Sequence, residues 1–285
     1  MTASPLSSTP SLYVVATPLG NLADITLRAL EVLRAVDVIA AEDTRHSRRL
    51  LDAHRVGTRL LALHEHNEQA AAGQLIRLME AGQHVALISD AGTPAISDPG
   101  ARTVTRVRDA GFRIVPIPGA CAAIAALCAS GLGEGGFHFS GFLPTRSSAR
   151  RAALEGLRAE AVPLVFYESP HRIAECLADI ASVLGAEREI VVARELTKLH
   201  EQVVRLPLAE AVSWLGVDPN HARGEFVLIV SAAPPSEGLD ADAERVLRLL
   251  LAELPVKTAA RLAAEICDAP RNALYARALE LKAAL

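Results

Sequence analysis

The sequence predicts an α/β protein of two α/β domains with a helical C-terminal extension, and three observations predict it. Short apolar runs alternate with helix-like segments through the first half, which argues for a parallel sheet with helices on its faces. A glycine- and proline-rich polar loop, Ser89 to Gly100, lies between an apolar run and a helix, where open α/β sheets hold ligands. A break at Ala232-Ala233-Pro234-Pro235-Ser236-Glu237-Gly238 precedes a stretch with helical periodicity only. The 285 residues suffice for more than one core. The expected boundaries are a disordered Ser/Thr/Pro-rich N-terminus at 1–11, α/β domains at 12–144 and 145–231, a linker at 232–240 and a helical region resembling a helix-turn-helix at 241–285.

In order, Leu12 to Ala16 reads as a strand ended by Thr17-Pro18-Leu19-Gly20-Asn21, with Asp24 as a helix N-cap. Val38 to Ala41 is a second strand, running into Glu42-Asp43-Thr44-Arg45 and a helix to about His54. Leu60 to Leu63 is a third, followed by His64-Glu65-His66-Asn67 and a helix to Ala81. His84 to Ile88 leads into the Ser89 loop and a helix from Ala101 to Ala110, and Arg113 to Ile117 leads through Pro118-Gly119-Ala120 into an alanine-rich helix. Phe137 to Phe142 is expected to close this half. The second half reads as a helix from about Ala149, strand Pro163 to Tyr167, helix His171 to Leu184, strand Glu189 to Ala193, a hairpin partner at His200 to Arg205 and strand Glu225 to Val230. The tail reads as helices over Asp242 to Glu253, Lys257 to Ile266 and Pro270 to Leu281.

Net charge is −4, so nucleic-acid contact must come from local patches. Cys121, Cys128, Cys176 and Cys267 show no metal spacing and read as buried thiols of a reducing compartment. The N-terminus lacks the apolar core of a signal peptide, and no run approaches the length of a membrane span, so a cytoplasmic protein is expected. Gly131-Leu132-Gly133-Glu134-Gly135-Gly136 matches the dinucleotide fingerprint but follows a helix instead of a strand, and is set aside as a turn. His64 and His66 have no third ligand nearby, so no metal site is expected.

What remains is a series of polar clusters at strand ends. In a parallel sheet these converge on one edge, and those of the second half can close over it. Each cluster alone would pass for a capped helix start; their number favours a site. Two stretches supply cations for a phosphate track: Arg45, Arg48, Arg49, Arg55 and Arg59 against Asp52, and Arg146, Arg150, Arg151 and Arg158 against Glu155.

The motifs TPLGNLADIT (17–26), AAEDTR (40–45), SDAGTPAISDPG (89–100), PIPGACAA (116–123), FYESPHR (166–172), ARELTK (193–198) and GEFVLIV (224–230) resemble the tetrapyrrole-methylase family, and within it the branch acting on small-subunit ribosomal RNA. The tail, KTAARLAAEI and RNALYARALE, is similar to that branch's helix-turn-helix-like extension. One departure is Ala120, where the family pattern has proline after Pro118-Gly119. The resemblance implies S-adenosylmethionine held between two α/β domains, with Pro18, Asp90, Ala91, Gly92, Thr93, Pro94, Ala122, Ala123, Tyr167 and Gly224 lining its pocket. Asp98-Pro99-Gly100 is expected to start a helix without touching the ligand, and Gly92→Val to cost cofactor affinity more than stability.

It further implies 2′-O-methylation of a cytidine in the decoding region of 16S ribosomal RNA, by a homodimer. A ribose hydroxyl is a weak acid, so an assisting base is sought among Glu42, Asp43, Glu168, Glu195 and Lys198. Of these, Lys198, Glu195 and Glu168 are the catalytic candidates, and Lys198 would serve if burial or Arg194 depressed its pKa. The RNA-binding candidates are Arg45, Arg48, Arg49, Arg146, Arg150 and Arg151. The rivals are a corrinoid-precursor methyltransferase of the same fold, a non-catalytic RNA-binding module and a dinucleotide-dependent oxidoreductase.

Overall fold

Strand β1 (Ser11–Val15) is an interior strand of the first sheet, and its residues divide between two cores. Tyr13 and Val15 face one cluster with Val32, Leu33, Ile39 and Leu51, while Leu12 faces the other with Leu75, Met79, Leu87 and Val107. Burial on both faces is what a near-continuous apolar strand of a parallel sheet requires. The structure is a computed structural model and describes residues 6–64, 67–234 and 241–283. His66 and part of the expected linker, 235–240, lie outside the described residues, as do 1–5 of the expected disordered N-terminus. Within 6–11 the chain is tied down: the Ser7 N–H donates to the Tyr13 hydroxyl at 2.7 Å, and Ser11 opens β1.

The first sheet continues with α1 (Leu27–Ala35), β2 (Val38–Ala41), α2 (Thr44–Ala53), β3 (Arg59–Ala62), α3 (Glu68–Glu80), β4 (Val85–Ile88), α4 (Ala101–Asp109), β5 (Arg113–Ile117) and α5 (Ala122–Ser130). Strand order is β3-β2-β4-β1-β5, parallel throughout. Helix starts follow local chemistry: Thr26 caps α1 and Asp43 caps α2, each accepting backbone N–H groups of the first turn. Gly131, in the left-handed region at φ 68°, ends α5. The fingerprint-like glycine stretch is therefore a helix stop.

The second sheet takes β6 (His138–Phe142), β7 (Leu164–Glu168), β8 (Glu189–Arg194), β9 (Gln202–Pro207) and β10 (Phe226–Val230), in the order β6-β7-β10-β8-β9. Strand β6, expected to close the first half, instead pairs parallel with β7. The remaining pairings are antiparallel, including the expected β8–β9 hairpin. Helices α6 (Ser147–Glu155), α7 (Ile173–Leu184) and α8 (Ala211–Val217) follow, of which α8 is absent from the sequence reading. One sheet face packs on Ile173, Leu177 and Leu215; the other packs Val165, Val191 and Val227 against Ala123 and Ala126 of α5. That second contact joins the two sheets, and the chain to Ala232 forms one compact unit. From Ala233 on, a separate unit holds α9 (Ala241–Glu253), α10 (Val256–Cys267) and α11 (Arg271–Ala283) around Leu247, Ala260 and Leu274.

Candidate active site

The loops after β1, β4 and β5 meet at the carboxyl edge of the first sheet. Thr17 and Gly92 exchange backbone hydrogen bonds of 2.8 and 3.0 Å, binding the first loop to the 89–100 loop. The Thr17 hydroxyl donates to the Ser89 carbonyl at 3.1 Å, and the Thr93 hydroxyl to the Ala120 carbonyl at 2.9 Å. The Ala120 partner is a backbone atom, so the position tolerates the departure from proline. Gly92 sits at φ 75°, and a Cβ there would approach Leu19 Cδ2 to 3.2 Å.

Above these loops lies a cavity of about 340 Å³. From the first half it is lined by Leu19, Ala91, Gly92, Thr93, Ile96, Ser97, Asp98, Cys121 and Ala122. From the second sheet come Phe142, Tyr167, Glu168, Ser169, Pro170, Leu196, Glu225, Phe226 and Val227. Of the expected cofactor residues, Ala91, Gly92, Thr93, Ala122 and Tyr167 are on its wall; Pro18, Asp90, Pro94, Ala123 and Gly224 are not. These five support the wall instead. Asp90 Oδ1 accepts the Asp43 N–H at 3.1 Å, and the Ala123 N–H donates to the Tyr167 hydroxyl at 3.0 Å. Gly224 leaves the space that the Glu195 side chain occupies. Pro18 and Pro94 are buried beneath the loops.

Asp98 is a correction. It lines the cavity, and the helix-starting role expected near it is taken by Glu68. That carboxylate is buried and accepts the Gly100 and Thr103 N–H groups at 3.1 and 3.0 Å. Burial pushes the Asp98 carboxyl up to about 6; the Ser89 hydroxyl opposes the shift and the nearby Asp90 adds to it. Two strained tripeptides face the same space. Ala95 and Ser97 flank Ile96 with φ of 69° and 62°, and Glu195 and Thr197 flank Leu196 with φ of 50° and 67°. Each such residue costs about 1–2 kcal/mol. In both loops the apolar residue between the strained pair lines the cavity.

Lys198 does not have the depressed pKa expected of a base. Its ammonium lies 2.8 Å from Glu225 and 2.9 Å from Glu195. Burial pulls it down, but those carboxylates outweigh burial and hold it above the ordinary lysine value. Arg194 is itself buried and engaged with Gln202 and the Arg223 carbonyl, so it does not act on Lys198 as expected. The Lys198 stem lies across Gly20, where a Cβ would meet its Cγ at 2.5 Å, so the lysine bridges the first-sheet loop and the second-sheet loop. Burial raises the Glu195 carboxyl, and the hydrogen bonds from Lys198 and the Glu225 N–H bring it below its ordinary value. Glu168 is buried, takes the Ser169 N–H at 2.7 Å and lies 3.1 Å from Arg172. Burial also pushes the Tyr167 phenol up, leaving its hydroxyl an acceptor for Ala123. Asp43 is spent on capping α2.

Among the RNA-binding candidates, the Arg45 side chain is 93% exposed and lies 3.7 Å from Asp43, Arg49 and Arg146 are also exposed, and Arg48 is half-buried. Arg150 is a second correction: it is buried and holds Asp179 Oδ2 at 2.6 Å. Arg151 is drawn to the same carboxylate at 3.4 Å and to the Ser182 hydroxyl at 3.0 Å. Of the four thiols expected to be buried, Cys176 is; Cys121 and Cys267 are half-buried and Cys128 is exposed. Among the described residues, no group of three or more metal-ligating side chains comes together, and no helix is long and apolar enough to cross a membrane.

Residues 11–212 match the family described as Tetrapyrrole (Corrin/Porphyrin) Methylases, and residues 237–282 match the RsmI C-terminal HTH domain. The chain is similar to ribosomal RNA small subunit methyltransferase I of Escherichia coli O157:H7, 54% identical over 96% of each chain. It is likewise similar to that enzyme of Pseudomonas aeruginosa, 52% identical over 96% of this chain and 98% of the other. Among solved structures, it shares the fold of uroporphyrin-III C-methyltransferase from Thermus thermophilus, complexed with S-adenosyl homocysteine. That likeness has a TM-score of 0.56 and 18% identity, over 78% of this chain and 97% of the other.

Proposed function

The chain belongs to the tetrapyrrole (corrin/porphyrin) methylases, and within them to the ribosomal RNA small subunit methyltransferase I family; from that premise we propose that it methylates the 2′-hydroxyl of a cytidine in the decoding region of 16S ribosomal RNA, using S-adenosylmethionine. The observation that carries this reading is that the likeness to ribosomal RNA methyltransferases runs through the cavity loops and on through the helical tail.

The residues present fit S-adenosylmethionine. The cavity has the size of a small-molecule site, with apolar walls from Leu19, Ile96, Leu196 and Val227. Gly92 keeps the loop backbone open to close approach, and Asp98 supplies a carboxylate to a cationic ligand. Ala91, Gly92, Thr93, Ala122 and Tyr167 contact the cofactor, while Asp90, Pro18, Pro94, Ala123 and Gly224 hold those contacts in place. Bound there, the cofactor supplies a methyl group already activated on a sulfonium, so the protein's task is positioning. Ile96 and Leu196 exclude water from the reacting centre. Lys198 stays protonated and, with Glu195 and Glu225, forms a fixed ionic cluster that shapes the ribose end of the site. It donates a hydrogen bond and removes no proton. Arg45, Arg48, Arg49 and Arg146 form the phosphate track. The enzyme acts in the cytoplasm as a homodimer on the small ribosomal subunit, an assembly that light scattering on the purified protein tests.

Ribose methylation is mapped across 16S ribosomal RNA from cells with and without this protein. A single cytidine 2′-O-methyl group that disappears in its absence is the expected result. Purified protein with radiolabelled cofactor should label small subunits and leave uroporphyrinogen unlabelled; the opposite pattern selects the tetrapyrrole reading. Absence of S-adenosylhomocysteine binding in calorimetry would select a non-catalytic RNA-binding module.

A further inference from the structure

Strand β6 carries an irregularity that the fold alone does not require. Its pairing with β7 runs His138 to Leu164 and Phe139 to Val165, then Gly141 to Phe166 and Phe142 to Tyr167, leaving Ser140 as an extra residue. In an unbroken strand Gly141 would stand beside Tyr167, and Phe142 would point to the opposite face. That is the face where Phe166 is fully buried among Leu164, Leu177 and Leu228. The bulge reverses the alternation. Phe139 and Phe142, three residues apart, now both meet the Tyr167 ring edge-on, with centroids at 5.0 and 5.7 Å and interplanar angles of 69° and 68°.

The arrangement has costs. The Ser140 hydroxyl is buried with no hydrogen-bond partner, and Gly141 is held at φ 64° with no room for a Cβ beside Ser97 Oγ. Phe142 is left 53% exposed where the core face would have buried it. What the bulge gains is a large aromatic ring on the cavity wall, 53% exposed.

We propose that Phe142 is the platform on which the pyrimidine ring of the target nucleoside stacks while its ribose is methylated. This rests on the reading of the cavity as a ribose methyltransferase site and names the part of it that holds the base. Sequence-specific recognition of RNA takes unstacked bases of single-stranded segments onto aromatic side chains, and a half-open aromatic ring on the cavity wall is placed to hold the pyrimidine while its ribose enters the cavity. Tyr167 cannot do this directly, because its hydroxyl is fixed on Ala123 and its ring is flanked by both phenylalanines. Phe142 is the outermost of the three rings.

The test uses the full-length protein, small subunits from cells lacking the modification, and radiolabelled cofactor. Phe142→Ala should lower kcat/KM for subunits about tenfold to a hundredfold. Phe142→Tyr and Phe142→Trp should stay within about threefold of the wild type. Phe142→Leu restores apolar volume without a π face and should resemble the alanine variant. S-adenosylhomocysteine affinity, read by calorimetry, should change less than about twofold in all four. A leucine variant as active as the wild type overturns the proposal while the methyltransferase reading stands. Parallel loss of cofactor affinity also overturns it, making Phe142 a cofactor wall. Wild-type protein that fails to methylate subunits overturns both.

Discussion

Asp98 places on the cavity wall a carboxyl that burial pushes up. Its carboxyl is pushed up to about 6, so the unliganded site is mostly protonated below that value. A cationic cofactor favours the ionised form, so its affinity should fall about tenfold per pH unit below 6 and level off above it. Without ligand the sign is the reverse. Between the ordinary carboxyl value near 4 and about 6, the unfolded chain has lost the proton while the fold keeps it, so stability falls as pH rises through that window. Calorimetry from pH 5 to 8 should show the first effect, and Asp98→Asn should abolish the pH dependence. Lys198 is also shifted up: against the pull of burial, Glu225 and Glu195 hold it above the ordinary lysine value, and it stays charged throughout the neutral range. The turnover profile of the wild type should therefore contain no limb near pH 7–8 that Lys198→Ala removes. Lys198→Ala and Glu195→Ala should each lower kcat at least tenfold with little change in cofactor affinity, and Lys198→Arg should restore part of the loss by keeping the charge. Arg150 acts on stability. Removing it leaves Asp179 with the Ser147 hydroxyl and, at 3.4 Å, Arg151, and Arg150→Ala should cost about 2–3 kcal/mol in urea unfolding while cofactor affinity is retained by what stays folded.

The loop 89–100 was legible as a ligand-holding element because its signals are local: an apolar strand before it, a helix after it and small residues between. Its internal geometry was not legible. Positive φ at Ala95 and Ser97 leaves no mark in residue type, since alanine and serine ordinarily avoid it. The β6 bulge is equally silent, because the register depends on the partner strand. Arg150 did carry a signal: it lies four residues before the buried Leu154, on the inward phase of α6. A run of arginines on a short helix hid that phase. The loop's tie to Thr17 also revises the reading of Gly92. Valine at φ 75° is a backbone outlier, and its branches would press Leu19 and strain the paired hydrogen bonds to Thr17. Gly92→Val should therefore lower stability by about 2–3 kcal/mol as well as abolish cofactor binding. Gly92→Ala, meeting Leu19 at 3.2 Å with no branch, should lose less of both, which urea unfolding and calorimetry on the two variants would resolve.

At the scale of the chain, the question is which of the two compact units supplies RNA affinity. Every residue lining the cavity lies before Ala232, so a chain ended there should keep its fold and its cofactor affinity within about twofold. The helical unit is close to neutral by composition, seven lysines and arginines against eight aspartates and glutamates over 233–285, and its arginines are largely paired within it. Arg245 pairs with Asp242, Arg248 and Arg277 with Glu244, Arg261 with Glu265, and Arg277 also with Glu280. Burial raises the Glu244 carboxyl slightly, but the Arg277 and Arg248 hydrogen bonds dominate and hold it ionised. Such a unit releases few counterions from a phosphate backbone. The exposed arginines of the first unit, Arg49, Arg146 and Arg45 (the last 3.7 Å from Asp43), release more. Deleting the helical unit should therefore leave the slope of log affinity against log salt nearly unchanged, even if affinity drops. Reversing Arg45, Arg49 and Arg146 to glutamate should flatten that slope by about three, roughly one per lost phosphate contact. Filter binding of the two proteins to small-subunit RNA across a salt series separates the cases. A slope that collapses on truncation would move the phosphate track to the tail, and would require the ion pairs of α9 and α11 to open on the RNA.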